Sequence, residues 1–352
     1  MTTPAPDPTA AGPDARALRR WLIACVVAVF LAVMVGGITR LTESGLSITE
    51  WRPVSGVLPP TTEAGWRDAY EAFLRIPQAQ TTHLGITLKG FKRIFWWEWF
   101  HRILARGVGL VFAIPYLWLL WRGAIPRGLR LRLAALPALT LAQGALGWYM
   151  VQSGLAVRSS VSAYRLTAHL ALALAILVVA LWTYADLRPR APGPTADRGW
   201  RWAMLALTVA IGTTILSGGF VAGLRAGTIF NTFPLMGGAI VPPGYAQLGG
   251  WWINALENPV AAQFHHRVLA LCTGTAALLA AWRAGRGGID AEAARAVRLV
   301  GGVAIVQVLL GIATLLLAVP LLLGVLHQFT GVAALGASVL ALHRVREGVP
   351  VR

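Results

Sequence analysis

Eight stretches of the chain are apolar over the roughly 20 residues that a helix needs to cross a bilayer. They run over about 21–39, 101–121, 131–151, 166–185, 200–222, 266–283, 297–318 and 321–341. Hydrocarbon offers a backbone no outside hydrogen-bond partner, so segments of this length are expected to be helical. Two long polar and aromatic segments, 40–100 and 223–265, interrupt the series, and the other connections are short. Basic residues in short connections orient such a chain, because they stay on the cytoplasmic side. Arg16, Arg19 and Arg20 precede the first span; Arg122, Arg127, Arg130 and Arg132 follow the second; Arg188, Arg190, Arg198 and Arg201 follow the fourth. Arg283, Arg286, Arg295 and Arg298 follow the sixth, and Arg344 and Arg346 the eighth, whereas the short connection after span three carries only Arg158 and Arg165. The pattern predicts an all-α polytopic membrane protein with eight transmembrane helices, both termini cytoplasmic (or on the matrix side) and both long segments on the outer face.

Composition agrees with that class. Of 352 residues 56% are hydrophobic and 13% charged, against about 25% charged in a soluble domain. The net charge of +17 comes from short basic tracts between spans, which reads as a topology signal with no motif for nucleic acid. Cys25 and Cys272 each fall inside a span, outside any metal-spaced motif, so neither a disulfide framework nor a thiolate metal site is expected. Residues 1–15, rich in Pro, Ala and Thr, are expected to form a disordered cytoplasmic tail without transit-peptide character.

The order of motifs repeats. Gly36-Gly37 corresponds to Gly218-Gly219, Val57-Leu58-Pro59-Pro60 to Ile240-Val241-Pro242-Pro243, and Trp96-Trp97 to Trp251-Trp252. His101-Arg102 corresponds to His266-Arg267, Gln143 with Gly147 to Gln307 with Gly311, and His169 to His327. The expected architecture is two tandem four-helix bundles related by a pseudo-twofold internal duplication. Residues 16–190 form the N-terminal half, with its outer loop 40–100, and residues 191–352 the C-terminal half, with its outer loop 223–265.

Each half then carries two histidines at similar depth near the outer face, on its second and fourth helices. Facing imidazoles in a bundle suit a haem iron, which takes one axial ligand on each side of its plane. Zinc would need three or four ligands, and nothing accompanies His266 and His327 to supply them. The competing reading is histidines hydrogen-bonded between helices as structural glue. Arg102 and Arg267 suit haem propionates or act as snorkelling anchors. His265 faces away from His266 and reads as an interfacial or supporting group, and His83 and His343 read as solvated. The halves differ at one position: Glu98, three residues before His101, lines up with Gln263, three before His266. If one site performs chemistry that removes a proton, Glu98 is the base and the N-terminal half the reaction chamber; chance divergence of the two halves is the competing reading.

These residues resemble the haem A synthase family. The resemblance rests on Gly36-Gly37-Ile38-Thr39-Arg40-Leu41-Thr42, Gly45-Leu46-Ser47, Glu50-Trp51 with Pro53, and Gly56 with Pro59-Pro60. Further pieces are Phe91-Lys92, Ile94-Phe95, Glu98, His101-Arg102, His169-Leu170, Gln263-Phe264, His266-Arg267 and His327-Gln328. It implies an oxidoreductase that converts haem O to haem A by stepwise oxidation of the C8 methyl to a formyl group, for cytochrome oxidase assembly. The substrate haem is then held by His101 and His169 with Arg102 nearby, Glu98 is the catalytic carboxylate, and His266 and His327 are axial ligands of a resident haem b. Arg267 and His265 are left as propionate or supporting residues. The implied setting is the bacterial inner membrane, or the mitochondrial one, with membrane lipid, haem O synthase and oxidase assembly factors as expected partners and homo-oligomers open. The cysteine pair that some members carry in an outer loop is missing. Two further classes remain as alternatives at this point: a non-catalytic di-haem electron carrier of the cytochrome b type, and a haem carrier.

Overall fold

Apolar length and polar punctuation produce a helical chain. The computed structural model describes residues 13–51, 55–155, 159–188 and 196–346. Pro53, Arg158, Arg190 and the tail through residue 12 lie outside the described residues. Eight long helices follow one another: α1 (Pro13–Leu41), α4 (Leu88–Trp121), α5 (Arg130–Leu155), α6 (Ala163–Asp186), α7 (Arg198–Gly223), α9 (Pro259–Ala284), α10 (Ala291–Leu316) and α11 (Leu321–Arg346). Three shorter ones lie in the two long connections: α2 (Glu63–Leu74), α3 (Pro77–Thr81) and α8 (Trp251–Glu257). Six of the long helices (α1, α4, α6, α7, α10 and α11) are long and apolar enough to cross a membrane. Helices α5 and α9 match them in length but carry more polar groups, including Arg130, Arg132 and Gln143 on one and Gln263, His265, His266 and Arg267 on the other.

Side-chain caps set several helix starts. Thr87 accepts from the Gly90 amide at α4, Asp197 from Trp200 at α7, and Asp290 from Glu292 and Ala293 at α10. Asn258 accepts from Val260 ahead of Pro259 at α9. Each such cap contributes about 0.5–2 kcal/mol. The Thr87 cap has a consequence for the site. Helix α4 begins at Leu88, so Glu98 and His101 stand well inside it and not at its entrance as the hydropathy pattern suggested. Its first turns are covered by α2 and the turn that follows it through Phe73, Ile76, Phe91, Ile94 and Phe95, which bury one another with Leu46. Much of the expected outer loop 40–100 is thus a small helical cap. Trp251 and Trp252 are not continuous with the helix of His266, because α8 ends at Glu257; Trp96 and Trp97 share α4 with His101.

The long helices close two rings. Helix α1 packs on α4, α4 on α5, α5 on α6, and α6 back on α1; α7 packs on α9, α9 on α10, α10 on α11, and α11 back on α7. Contacts of α6 with α7, α1 with α11 and α6 with α11 join the rings. At the C-terminal ends of α1 and α7 Arg40 reaches across to the Ala222 carbonyl, and Arg225 pairs with Glu43 at 2.9 Å.

Candidate functional site

Each of the four histidines faces a glycine on the neighbouring helix of its ring. A Cβ added at Gly36 of α1 would lie 3.4 Å from His101 Nε2 on α4, and one at Gly147 of α5 would lie 3.0 Å from His169 Cε1 on α6. In the second ring, a Cβ at Gly218 of α7 would lie 3.0 Å from His266 Cε1 on α9, and one at Gly311 of α10 would lie 2.9 Å from His327 Cε1 on α11. Interatomic contacts settle at about 3.5–4.0 Å, so a side chain at three of these positions would drive the imidazole out of place. All four rings remain partly accessible between helices.

The rings of His266 and His327 have centroids 6.4 Å apart and planes at 90°. Two imidazole nitrogens bonding one ion from opposite sides at about 2.0–2.1 Å place the ring centroids about 6 Å apart. The spacing fits. The Ser217 hydroxyl donates to the Thr214 carbonyl at 2.7 Å, and its oxygen lies 2.8 Å from His266 Nδ1. A hydroxyl has one proton, so with that proton on Thr214 the Nδ1–H of His266 donates to Ser217, and the Nε2 lone pair is left for a metal. Ser217 was missed in the sequence. Its only signal is that it precedes Gly218-Gly219, where Val35 precedes Gly36-Gly37.

The other pair is held differently. His101 and His169 lie close enough to interact electrostatically, but Gln143 of α5 is bonded to His169 twice. Its amide nitrogen lies 3.2 Å from His169 Nε2 and 3.0 Å from the His169 carbonyl. The Gln143 Oε1 and His169 Nδ1 atoms are buried without a partner. A ligand approaching His169 Nε2 must therefore displace an amide, whereas His266 presents a nitrogen already free.

Glu98 is 3% exposed and Gln263 2%. Glu98 Oε1 accepts from Arg102 Nε at 2.7 Å, while the terminal nitrogens of Arg102 donate to the Ile48 carbonyl at 2.7 Å and the Glu50 carbonyl at 2.9 Å. The other carboxylate oxygen faces Gly45, where a Cβ would lie 3.8 Å away. Arg102 is thus bonded to three protein acceptors, clamping the segment after α1 onto α4. In the second ring Arg267 donates to the Thr232 carbonyl at 2.7 Å and to the Phe230 carbonyl, and Gln263 donates to the Phe230 carbonyl at 3.2 Å. The same clamp is built twice, once with a charge inside it and once without.

His265 turns away from the ring pair and accepts or donates a 2.9 Å bond with the Tyr245 hydroxyl. Two expectations are corrected. His83 is not simply solvated: its Nε2 bonds the Glu43 carbonyl at 3.1 Å and its ring packs on Phe73. His343 is 3% exposed, bonds Asp186 at 2.7 Å and packs edge-on against Trp182, because the ends of α6 and α11 close over it.

Comparison with known proteins follows the same residues. The family model described as cytochrome oxidase assembly protein, COX15-CtaA, matches residues 19–339. The chain belongs to this family. Among its relatives, "Heme A synthase" of Bradyrhizobium sp. (strain ORS 278) is 45% identical over 340 residues, covering 94% of this chain and 92% of that protein. "Heme A synthase" of Sphingopyxis alaskensis is 45% identical over 341 residues, covering 97% and 95%, and that of Nitrosospira multiformis is 43% identical over 332 residues, covering 93% and 92%. The COX15-CtaA match spans all four histidines, Glu98 and both arginine clamps.

Proposed function

We propose that this COX15-CtaA member is a haem A synthase that oxidises the C8 methyl of haem O to a formyl group, supplying haem A for cytochrome oxidase. The observation that carries the reading is the asymmetry of two otherwise matching sites. Both rings present an imidazole pair beside an arginine clamp, but only the pair of His101 and His169 has a buried carboxylate three residues away. That ring is the reaction chamber. His101 and His169 hold the substrate haem, and the Gln143 contact on His169 suits a ligand that must come and go. His266 and His327 hold a permanent haem b, and the free Nε2 of His266 suits a ligand that stays. Haem b, held by His266 and His327, would supply one-electron redox chemistry.

Glu98 takes the proton released as the methyl group is oxidised. Arg102 holds that carboxylate aimed through its 2.7 Å bond, and the three-residue spacing puts it on the same face of α4 as His101. The aromatic cap over α4 keeps bulk water from the carboxylate. In the same reading all eight long helices span the membrane, including the more polar α5 and α9, whose polar groups face the site. The two rings are duplicated halves, 16–190 and 191–352, with both termini cytoplasmic and the haem sites towards the outer face of the inner membrane.

Glu98→Gln is the test, because it gives the first ring the group that Gln263 supplies in the second. Membranes from cells making haem O should then keep haem b and lose haem A by about 10²–10⁴-fold, the usual contribution of a positioned acid or base. Undiminished haem A from that variant removes Glu98 from the reaction.

A further inference from the structure

One contact between the two sites is a hydrogen bond from the residue beside a ring histidine. Gln328, the residue after His327 on α11, sends its amide across the boundary between rings to α1. Its Nε2 donates to the Val33 carbonyl at 2.8 Å, and its Oε1 sits where a side chain of residue 37 would be, 1.9 Å from a Cβ built on Gly37. The next glycine, Gly36, is the one against which His101 rests. A continuous path therefore runs His327, Gln328, Gly37, Gly36, His101, through two side-chain contacts, Gln328 on Gly37 and His101 on Gly36. The matching contact on the other side of the boundary has no such hydrogen bond: Thr167 Oγ1, buried without a partner, and Leu170 Cδ2, after His169, lie 3.0 and 3.4 Å from a Cβ built on Gly219. Packing alone is enough to join the rings at that point, so the amide at 328 does something that packing does not.

We infer that Gln328 is a positioning residue which sets the placement of the His266–His327 site relative to the His101–His169 site by seating its amide in the notch at Gly37. The hydrogen bond to Val33 fixes the rotation and height of α11 against α1. A small change there moves the imidazole of His327 relative to the wall on which His101 rests. Electron passage between two bound haems depends on their separation and mutual orientation, so the contact governs a rate while leaving each site able to bind its own haem. This rests on the haem assignment above.

The test uses the purified full-length protein from cells that make haem O, comparing the unmodified chain with Gln328→Ala, Gln328→Leu, Gly37→Ala and the double variant Gly37→Ala/Gln328→Ala. Haem b per protein is read from its low-spin spectrum, and the rate of haem b reduction is followed after haem O is added. Gln328→Ala should keep haem b and slow its reduction at least about tenfold, the loss seen when a supporting hydrogen bond is removed from a metal site. Gln328→Leu, which copies Leu170, should not restore the rate. Gly37→Ala should behave like Gln328→Ala, because its methyl group evicts the amide, and the double variant should be no slower than either single one. An unchanged rate in Gln328→Ala, a normal rate in Gln328→Leu, or loss of haem b itself from Gln328→Ala would overturn the inference. If the unmodified protein shows no bis-imidazole haem, the haem assignment fails first; if it does and the variants are unaffected, only this inference fails.

Discussion

Gly218→Ala and Gly311→Ala separate the proposed haem site from the fold that carries it. A methyl group at either position would lie 3.0 or 2.9 Å from an imidazole carbon, at least about half an ångström inside normal contact distance. Neither side can yield cheaply, since the glycine is on a helix backbone and the imidazole is a rigid ring on the next helix. The ring must therefore swing by a few tenths of an ångström or more, which exceeds the roughly ±0.2 Å within which metal–ligand distances are held. Haem b bound per protein should fall about 10–100-fold. The same substitutions favour the helix itself, by roughly 0.8–1.0 kcal/mol relative to glycine. Yield and helical content should accordingly hold while the red pigment goes. Gly36→Ala serves as the internal control, because its methyl group would lie at 3.4 Å from His101 Nε2 and should be tolerated. The assay is extracted haem per purified protein together with far-ultraviolet circular dichroism. Full haem b in both Gly218→Ala and Gly311→Ala would refute the reasoning that these glycines cradle ligands.

Three other substitutions probe separate parts of the structure. Ser217→Ala removes the acceptor that holds the His266 Nδ1–H and should lower haem b affinity about tenfold without affecting folding, measured by haem retention during dilution; unchanged retention argues that Ser217 does not set the ring. Arg102→Gln leaves the buried Glu98 carboxylate without its charge partner and frees the Ile48 and Glu50 carbonyls, so stability should drop by about 3–5 kcal/mol and haem A should vanish, checked by thermal melting and pigment analysis. His343→Ala, on the opposite side from the proposed haem sites, should cost about 1–3 kcal/mol in melting experiments and leave the haem spectrum unmoved; a spectral change would place it in the site.

Much of the helical frame is legible in the sequence. Apolar length marks six of the eight long helices, and the ordered recurrence of Gly-Gly, His-Arg and His singles out the four histidines and Glu98 as candidates. These signals are legible because periodicity and spacing along a helix are local properties. Which nitrogen finds which partner was decided only by the tertiary structure. The commitment of Arg102 to Glu98 and to the Ile48 and Glu50 carbonyls, the Gln143 amide on His169, the Ser217 hydroxyl beside His266 and the burial of His343 over Asp186 all depend on segments distant in the chain meeting at one point. Helix α4 likewise starts at Leu88 because Thr87 caps it and α2 packs on its first turns, which a hydropathy window cannot register. A hydrogen bond is satisfied by whatever backbone or side chain folding delivers to it, and that delivery is written in no single stretch of the chain.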